Sequence, residues 1–136
     1  MSSLFELRLG LSKGGRFMKV VVIGACGHIG SYLVPKLVKG GFKVVAISRG
    51  KSKPYINDPA WKMVEQVVLD RNKDEDFAYK VAKMNADIVV DLINFNIEDT
   101  KKMVTALKEI KISHYLYCSS IWLMVEQNFY QLIQIV

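Results

Sequence analysis

The sequence predicts an α/β protein built as a doubly wound parallel sheet in three αβα layers. Three observations carry that prediction. Short apolar runs alternate along the chain with segments of helical period; the first run ends in a glycine turn that opens a helix; and the runs are apolar at successive positions, as burial on both sheet faces requires. With 136 residues, 51% of them hydrophobic and 24% charged, the chain has the size and composition of one domain with a substantial core.

Val20 to Ile23 form the first strand, ending in the turn Gly24-Ala25-Cys26-Gly27-His28-Ile29-Gly30. Ile29, Leu33, Leu37 and Val38 then recur at helical spacing, and Gly40-Gly41 supply the stop. Pro35 falls inside this helix, where a missing backbone donor predicts a kink or distortion. Phe42 to Ser48 is a second strand, and Lys51 to Ala60, with Pro54 and Pro59, is a loop. Val64 to Leu69 is a third strand ending at Asp70. Asp74, Glu75 and Asp76 are placed to open a helix bearing Phe77, Val81 and Met84, with their charges at its positive end. Asp87 to Ile93 is a fourth strand, Ile97 to Ile110 a helix carrying Met103, Val104 and Leu107, and Ser113 to Cys118 a fifth strand. Right-handed crossovers then give the order 3-2-1-4-5, a Rossmann-like sheet that is incomplete at its C-terminal end, with a ligand crevice at the switch point between strands 1 and 4.

The residues on either side of this domain read differently. Phe5, Leu7, Leu9 and Leu11 alternate with Glu6, Arg8 and Gly10 as an extra edge strand would, before Ser12 to Gly15 break the pattern. Residues 1–17 are taken as an appended extension that need not be native: a purine-rich codon choice for Lys13 to Arg16 would be a ribosome-binding site, making Met18 the start. Residues 18–122 form the nucleotide-binding domain. Residues 123–136 are an apolar, divergent or truncated tail, expected to cover a sheet face or edge.

The glycine turn points to chemistry. Glycines let the backbone turn sharply and let a pyrophosphate approach, while the free N–H groups and positive dipole end of the following helix face its oxygens. Gly24, Cys26, Gly27, His28, Ile29 and Gly30 are therefore the candidate dinucleotide-binding turn. His28, at the helix start, is read as a neutral structural residue. About twenty residues on, the tip of strand 2 should meet the adenosine ribose, and Ser48 and Arg49 stand there with Lys51 and Lys53 nearby. A hydroxyl and a guanidinium in place of an acid attract a 2′-phosphate, which favours NADP(H) and leaves NAD(H) as the alternative. Asp70 is a candidate acceptor for the adenine amino group with Arg71 packed on the ring. Asn94 and Asn96, after strand 4, are placed to face the crevice near the nicotinamide ribose, although asparagines there are also good turn formers.

A net charge of +6 raises nucleic acid as a partner. The lysines are dispersed, however, and the one short basic cluster, Arg49 to Lys53, carries no interleaved aromatics to stack bases, so nucleic acid is not expected. No apolar run is long enough for a membrane span, and no signal peptide precedes the first strand, so a cytoplasmic protein is expected. Cys26 and Cys118 lie on strands with another strand between them, about 10 Å apart, and are read as free thiols. Neither has a neighbour with which to form a metal site.

GACGHIG, VVLDR at Val67 to Arg71, DIVVDLINF at Asp87 to Phe95 and HYLYCSSIW at His114 to Trp122 together resemble the extended short-chain dehydrogenases/reductases, the NAD-dependent epimerases/dehydratases. The resemblance spans residues 18–122 and is most specific in the glycine spacing and the serine pair Ser119-Ser120. It implies a nicotinamide cofactor and, in complete members, an oxidoreductase acting on a nucleotide sugar or a similar hydroxyl or carbonyl substrate. It further implies that Gly24, Gly27 and Gly30 hold the pyrophosphate, that Asp70 meets the adenine, that Leu92, Ile93 and Asn94 lie along the cofactor, and that Ser120 hydrogen-bonds the substrate oxygen. The family's general acid/base tyrosine and the lysine four residues later should follow on a helix after strand 5. Here Tyr130 is followed by Gln134, while the Tyr32/Lys36 and Tyr79/Lys83 spacings precede strand 5 and sit on the wrong helices. The expectation is a cofactor-binding domain that is catalytically incomplete as this chain. The alternative is a noncatalytic dinucleotide-sensing or scaffolding module that self-associates through a sheet edge and the apolar tail.

Overall fold

A computed structural model of the chain describes residues 17–118. The predicted N-terminal edge strand, the serine pair Ser119-Ser120 and the apolar tail lie outside the described residues. Five parallel strands, β1 (Lys19–Ile23), β2 (Lys43–Ser48), β3 (Glu65–Val68), β4 (Ile88–Asp91) and β5 (His114–Tyr117), form one sheet in the order β3-β2-β1-β4-β5. This is the predicted Rossmann-like order. The strands trim one or two residues from several predicted ends, and β1 is central, with Val22 aligned to Ala46 on one side and Val90 on the other.

The two faces of the sheet divide the core by residue parity. Val21, Ile23, Val45, Ile47 and Val89 face helices α2 (Phe77–Ala82) and α3 (Ile97–Leu107), where they meet Phe77, Val81, Met103 and Leu107. Val20, Val22, Val44 and Ala46 face α1 (His28–Lys39), with Val34 and Val64. Both parities of β1 and β2 are buried, so those strands read as unbroken apolar runs; each buried side chain contributes about 1.5–3 kcal/mol. The edge strand β5 instead alternates exposed with half-buried positions.

Two expectations about the helices are corrected here. In α1 the buried residues are Gly30, Ser31, Val34 and Pro35, whereas Ile29 is 54% exposed. Gly30 has to abut the backbone of Ala25, and with Gly30 turned inward Ile29, one residue earlier, swings about 100° away. Pro35 lies within the helix without ending it and joins its buried face. The acidic run before α2 does not serve as its cap: Asp76, at the N-cap, makes no side-chain cap bond. Asp74 instead accepts from the Asp70 N–H at 2.9 Å and from the Lys80 ammonium at 3.0 Å. Those two donors hold its carboxyl below the usual range, and the Asp74 carboxylate in turn raises Lys80.

Between β2 and β3, Asp58 caps a 3₁₀ turn (Pro59–Met63), accepting from the Ala60 N–H at 2.9 Å. Among the described residues no helix is long and apolar enough to cross a membrane. No group of three or more His, Cys, Asp or Glu among them could hold a metal ion.

Candidate functional site

The glycine turn joins β1 to α1, and its three glycines are required for three different reasons. Gly24 has φ +82°, and a Cβ there would stand 2.8 Å from the Ile93 side chain. Gly27 is the N-cap of α1 and donates its N–H to the Gly24 carbonyl at 3.1 Å. A Cβ on Gly27 would meet only that carbonyl, at 3.3 Å, so its outer side is open to a ligand. Gly30 is a packing residue, since a Cβ would lie 2.4 Å from the Ala25 carbonyl oxygen. No side chain caps α1; its first-turn N–H groups have no carbonyl one turn back and carry the positive end of the dipole.

A cleft of about 290 Å³ opens beside this turn, across the carboxyl ends of β1 and β2. Gly24, Cys26, Gly27, Ser48, Arg49 and Ile93 line it, together with Lys51, Ser52, Tyr55 and Leu69. Among the described residues, Arg49 and Lys51 are the only charged side chains in this lining. Gly50, with φ +75°, turns the chain between them and donates its N–H to Ser48 Oγ at 3.3 Å. The cleft therefore has a glycine floor at a helix start and a cationic wall at the tip of β2. That combination suits an anionic ligand.

The remaining predicted site residues divide. His28 lies outside the lining, its ring 5.1 Å from that of the lining residue Tyr55, edge to face. Ile29 points to solvent, and Leu92 packs against the α1-side core. Asp70 lies outside the lining; its Oδ1 accepts from the Asn72 N–H at 2.9 Å, which makes it a turn aspartate in this structure. Cys26 is buried, Cys118 is exposed, and both are free thiols.

Arg71 and Asn94 have partners inside the protein. The Arg71 guanidinium forms a salt bridge to Asp91, donates to the Ile93 carbonyl at 2.8 Å and lies 5.0 Å over the Phe77 ring. Asn94, 0% exposed, faces inward. Its amide donates to the Tyr115 hydroxyl at 3.1 Å and its carbonyl oxygen accepts from Thr100 at 3.0 Å. Asn96 caps α3, accepting from the Asp99 N–H at 2.9 Å. For Arg71 and Asn94 a burial demand from inside the protein engages the side chain, whereas the exposed Asn96 is engaged by capping its helix.

At the centre of that inner network is Asp91, the last residue of β4 and wholly buried. Beside the two Arg71 contacts it accepts from the Tyr115 hydroxyl at 2.9 Å. Burial, followed by the Asp91 charge and this hydrogen bond, pushes the Tyr115 phenol well above the ordinary tyrosine range. Tyr115 therefore holds its proton and does not act as a base at neutral pH. A carboxylate within the apolar run IVVD was the available signal for a buried cationic partner. Ser52, Tyr55 and Leu69 had no comparable signal, because a loop's path decides which of its residues reach a cleft.

A model of the NmrA-like family matches residues 17–130. The chloroplast stem-loop binding protein of 41 kDa b from Arabidopsis thaliana is 29% identical over 111 residues, which span 75% of this chain and 29% of that protein. Among solved structures, the epimerase Mth375 from Methanothermobacter thermautotrophicus aligns with a TM-score of 0.62 at 22% identity, over 87% of this chain and 39% of that one. The Bordetella bronchiseptica enzyme WbmH, in complex with NAD+, aligns with a TM-score of 0.53 at 21% identity, over 72% of this chain and 37% of that one. This chain thus spans less than half the length of the proteins it resembles, and the structural likenesses establish a shared fold. The family match, which runs through the glycine turn and all five strands, makes the chain a member of the NmrA-like family.

Proposed function

We propose that this chain binds a nicotinamide dinucleotide, with NADP(H) preferred over NAD(H), as the cofactor-binding portion of an oxidoreductase of the nucleotide-sugar epimerase/dehydratase kind. The observation that carries the reading is the cleft itself: a glycine floor at the start of α1, with Arg49 and Lys51 as its only charged lining among the described residues. The open outer side of Gly27 accommodates a pyrophosphate, and the two cations at the tip of β2 suit a ribose 2′-phosphate. The NAD+ held by WbmH on the same fold supports the cofactor class. When bound, the nicotinamide supplies hydride transfer. The residues of this chain bind and orient it: the α1 N–H groups meet the phosphates, Arg49 and Lys51 the adenosine side, and Ser120 the substrate oxygen.

With Tyr115 held protonated and no Tyr-x-x-x-Lys pair after β5, the 136 residues on their own bind cofactor with little or no turnover. Calorimetric titration with NADPH and NADH in parallel tests the reading. Tighter NADPH binding that is lost in Arg49→Asp supports it; a folded chain that binds neither overturns it.

A second reading, a noncatalytic dinucleotide-sensing or scaffolding module, is favoured by Leu116, 55% exposed on the edge strand β5. Cofactor-dependent dimers in sedimentation would support it, and a monomer with and without cofactor would count against it.

A further inference from the structure

Ser31, on the first turns of α1, is 0% exposed, and its hydroxyl is used in both directions. It donates to the Gly27 carbonyl at 2.6 Å and accepts the Tyr55 N–H at 3.0 Å. One oxygen thereby ties the glycine turn to a loop 24 positions further along the chain. That loop starts at Ser48, the end of β2, and carries Arg49, Lys51 and Ser52 into the cleft before it reaches Tyr55. All the charged lining of the cleft therefore lies between β2 and the Ser31 tie.

Other fastenings of the loop are weaker or further away. The Tyr55 ring touches His28 but is 67% exposed. Asp58 pairs with Lys39 at 2.9 Å at the far end of α1, with the lysine side chain 65% exposed, and exposed pairs of this kind hold little. The part-buried bond from the Tyr55 N–H to Ser31 is the side-chain tie between this loop and the glycine turn, on the far side of Arg49 and Lys51 from β2.

We infer that Ser31 is a positioning residue that sets the cleft's preference for a dinucleotide bearing an additional phosphate, by bolting the Arg49–Tyr55 loop to the glycine turn. The inference rests on the dinucleotide reading above. A pyrophosphate on the turn is held by backbone N–H groups and needs no loop. A 2′-phosphate needs the two cations in register with it.

The test is parallel titration of the full chain with NADPH and NADH, in wild type, Ser31→Ala, Tyr55→Pro and Tyr55→Ala. Tyr55→Pro removes the ring and the N–H donor and also fixes φ, and Tyr55→Ala removes only the ring, so Ser31→Ala, which removes the acceptor alone, is the variant that isolates the hydrogen bond. Ser31→Ala and Tyr55→Pro are expected to weaken NADPH by roughly three- to tenfold, the worth of a modest hydrogen bond, with NADH changed by less than about twofold. Tyr55→Ala, which loses a cleft-lining ring and keeps the N–H donor, sets the baseline against which Tyr55→Pro is compared. Tryptic cleavage after Arg49 and Lys51 should accelerate in the first two variants and not in the third. An unchanged NADPH/NADH ratio in Ser31→Ala and Tyr55→Pro, in a wild type that binds both, overturns this inference alone. A folded wild type that binds neither overturns the cofactor reading and this inference with it.

Discussion

Arg71 and Asp91, twenty positions apart, are joined by two guanidinium–carboxylate contacts at 3.2 Å and 2.5 Å, with side chains 7% and 0% exposed. The pair sits behind the cleft: the same guanidinium donates to the Ile93 carbonyl, and Ile93 both lines the cleft and packs where a Gly24 side chain would go. Removing one partner of such a pair strands a charge in a site that water does not reach. Arg71→Ala is expected to cost about 3–5 kcal/mol in urea unfolding. The double change with Asp91→Leu should recover much of that loss, because it removes the stranded charge. A loss below about 1 kcal/mol for Arg71→Ala would show that the pair has no structural role.

The three glycines of the turn should fail in different ways when changed to alanine. At Gly30 the added Cβ meets the Ala25 carbonyl oxygen at 2.4 Å, and backbone has little room to retreat. Gly30→Ala is expected to lower stability by about 1–3 kcal/mol or more, through displacement of α1 from the sheet. At Gly27 the only close atom is a carbonyl oxygen at 3.3 Å, and the residue lines the cleft proposed to hold the pyrophosphate. Gly27→Ala should therefore melt within a few degrees of wild type and yet lose cofactor affinity. Thermal unfolding beside calorimetry separates the two, and equal stability losses would contradict this division of roles.

Much of this was legible in the sequence. Val20 to Ile23 and Val44 to Ile47 sit in strands buried on both faces, and that burial writes itself as continuous apolar runs. The glycines were legible because their constraint lies in the backbone. The inward partners of Arg71 and Asn94 were not legible, for a physical reason: a polar side chain chooses among partners that only the fold brings near. Asp91 lies 20 positions from Arg71, and Tyr115 lies 21 from Asn94. The helical spacing of α1 was clear, but its rotation was set by Gly30 against Ala25, which no periodicity of apolar residues records.

Tyr115 should give the protein a measurable weakness in alkali. Burial and the Asp91 charge raise its phenol in the folded state above the ordinary value of 10.0. Above about pH 10 the unfolded chain loses this proton while the folded chain keeps it, so stability falls as pH rises, by at most about 1.4 kcal/mol per pH unit from this group. Below pH 10 the group contributes no slope. Tyr115→Phe should show a shallower alkaline loss than wild type in urea titrations between pH 9 and 11. It should also be less stable at pH 7, by about 1–3 kcal/mol, because Asp91 and Asn94 each lose a partner. Parallel alkaline curves for the two proteins would show that Tyr115 ionises normally.

At the acid end, Asp74 acts with the opposite sign. Its carboxyl is held low by the Asp70 N–H first and by Lys80 second. The stability it contributes is thus present above the unfolded value near 3.8 and is lost as pH falls through the lower folded value. The group is open to solvent, so the effect is small and sensitive to salt. Asp74→Asn should flatten the stability profile slightly below pH 4 and remove the salt dependence that the Lys80 pair brings.

The basic run after β2 permits a direct separation of site from surface. Arg49 and Lys51 line the cleft, whereas Lys53, in the same run, lies outside its lining. If the cations act by contact with an extra phosphate, Arg49→Ala and Lys51→Ala should each weaken NADPH binding by about 1–2 kcal/mol, roughly five- to thirtyfold, with a much smaller effect on NADH. Lys53→Ala should leave both unchanged. If the run acts only as a diffuse positive field, all three substitutions should weaken NADPH by similar small amounts that vanish as salt is raised. Calorimetry at low and moderate salt distinguishes the outcomes: contact leaves an order Arg49 and Lys51 over Lys53 that survives screening, and a diffuse field leaves no order.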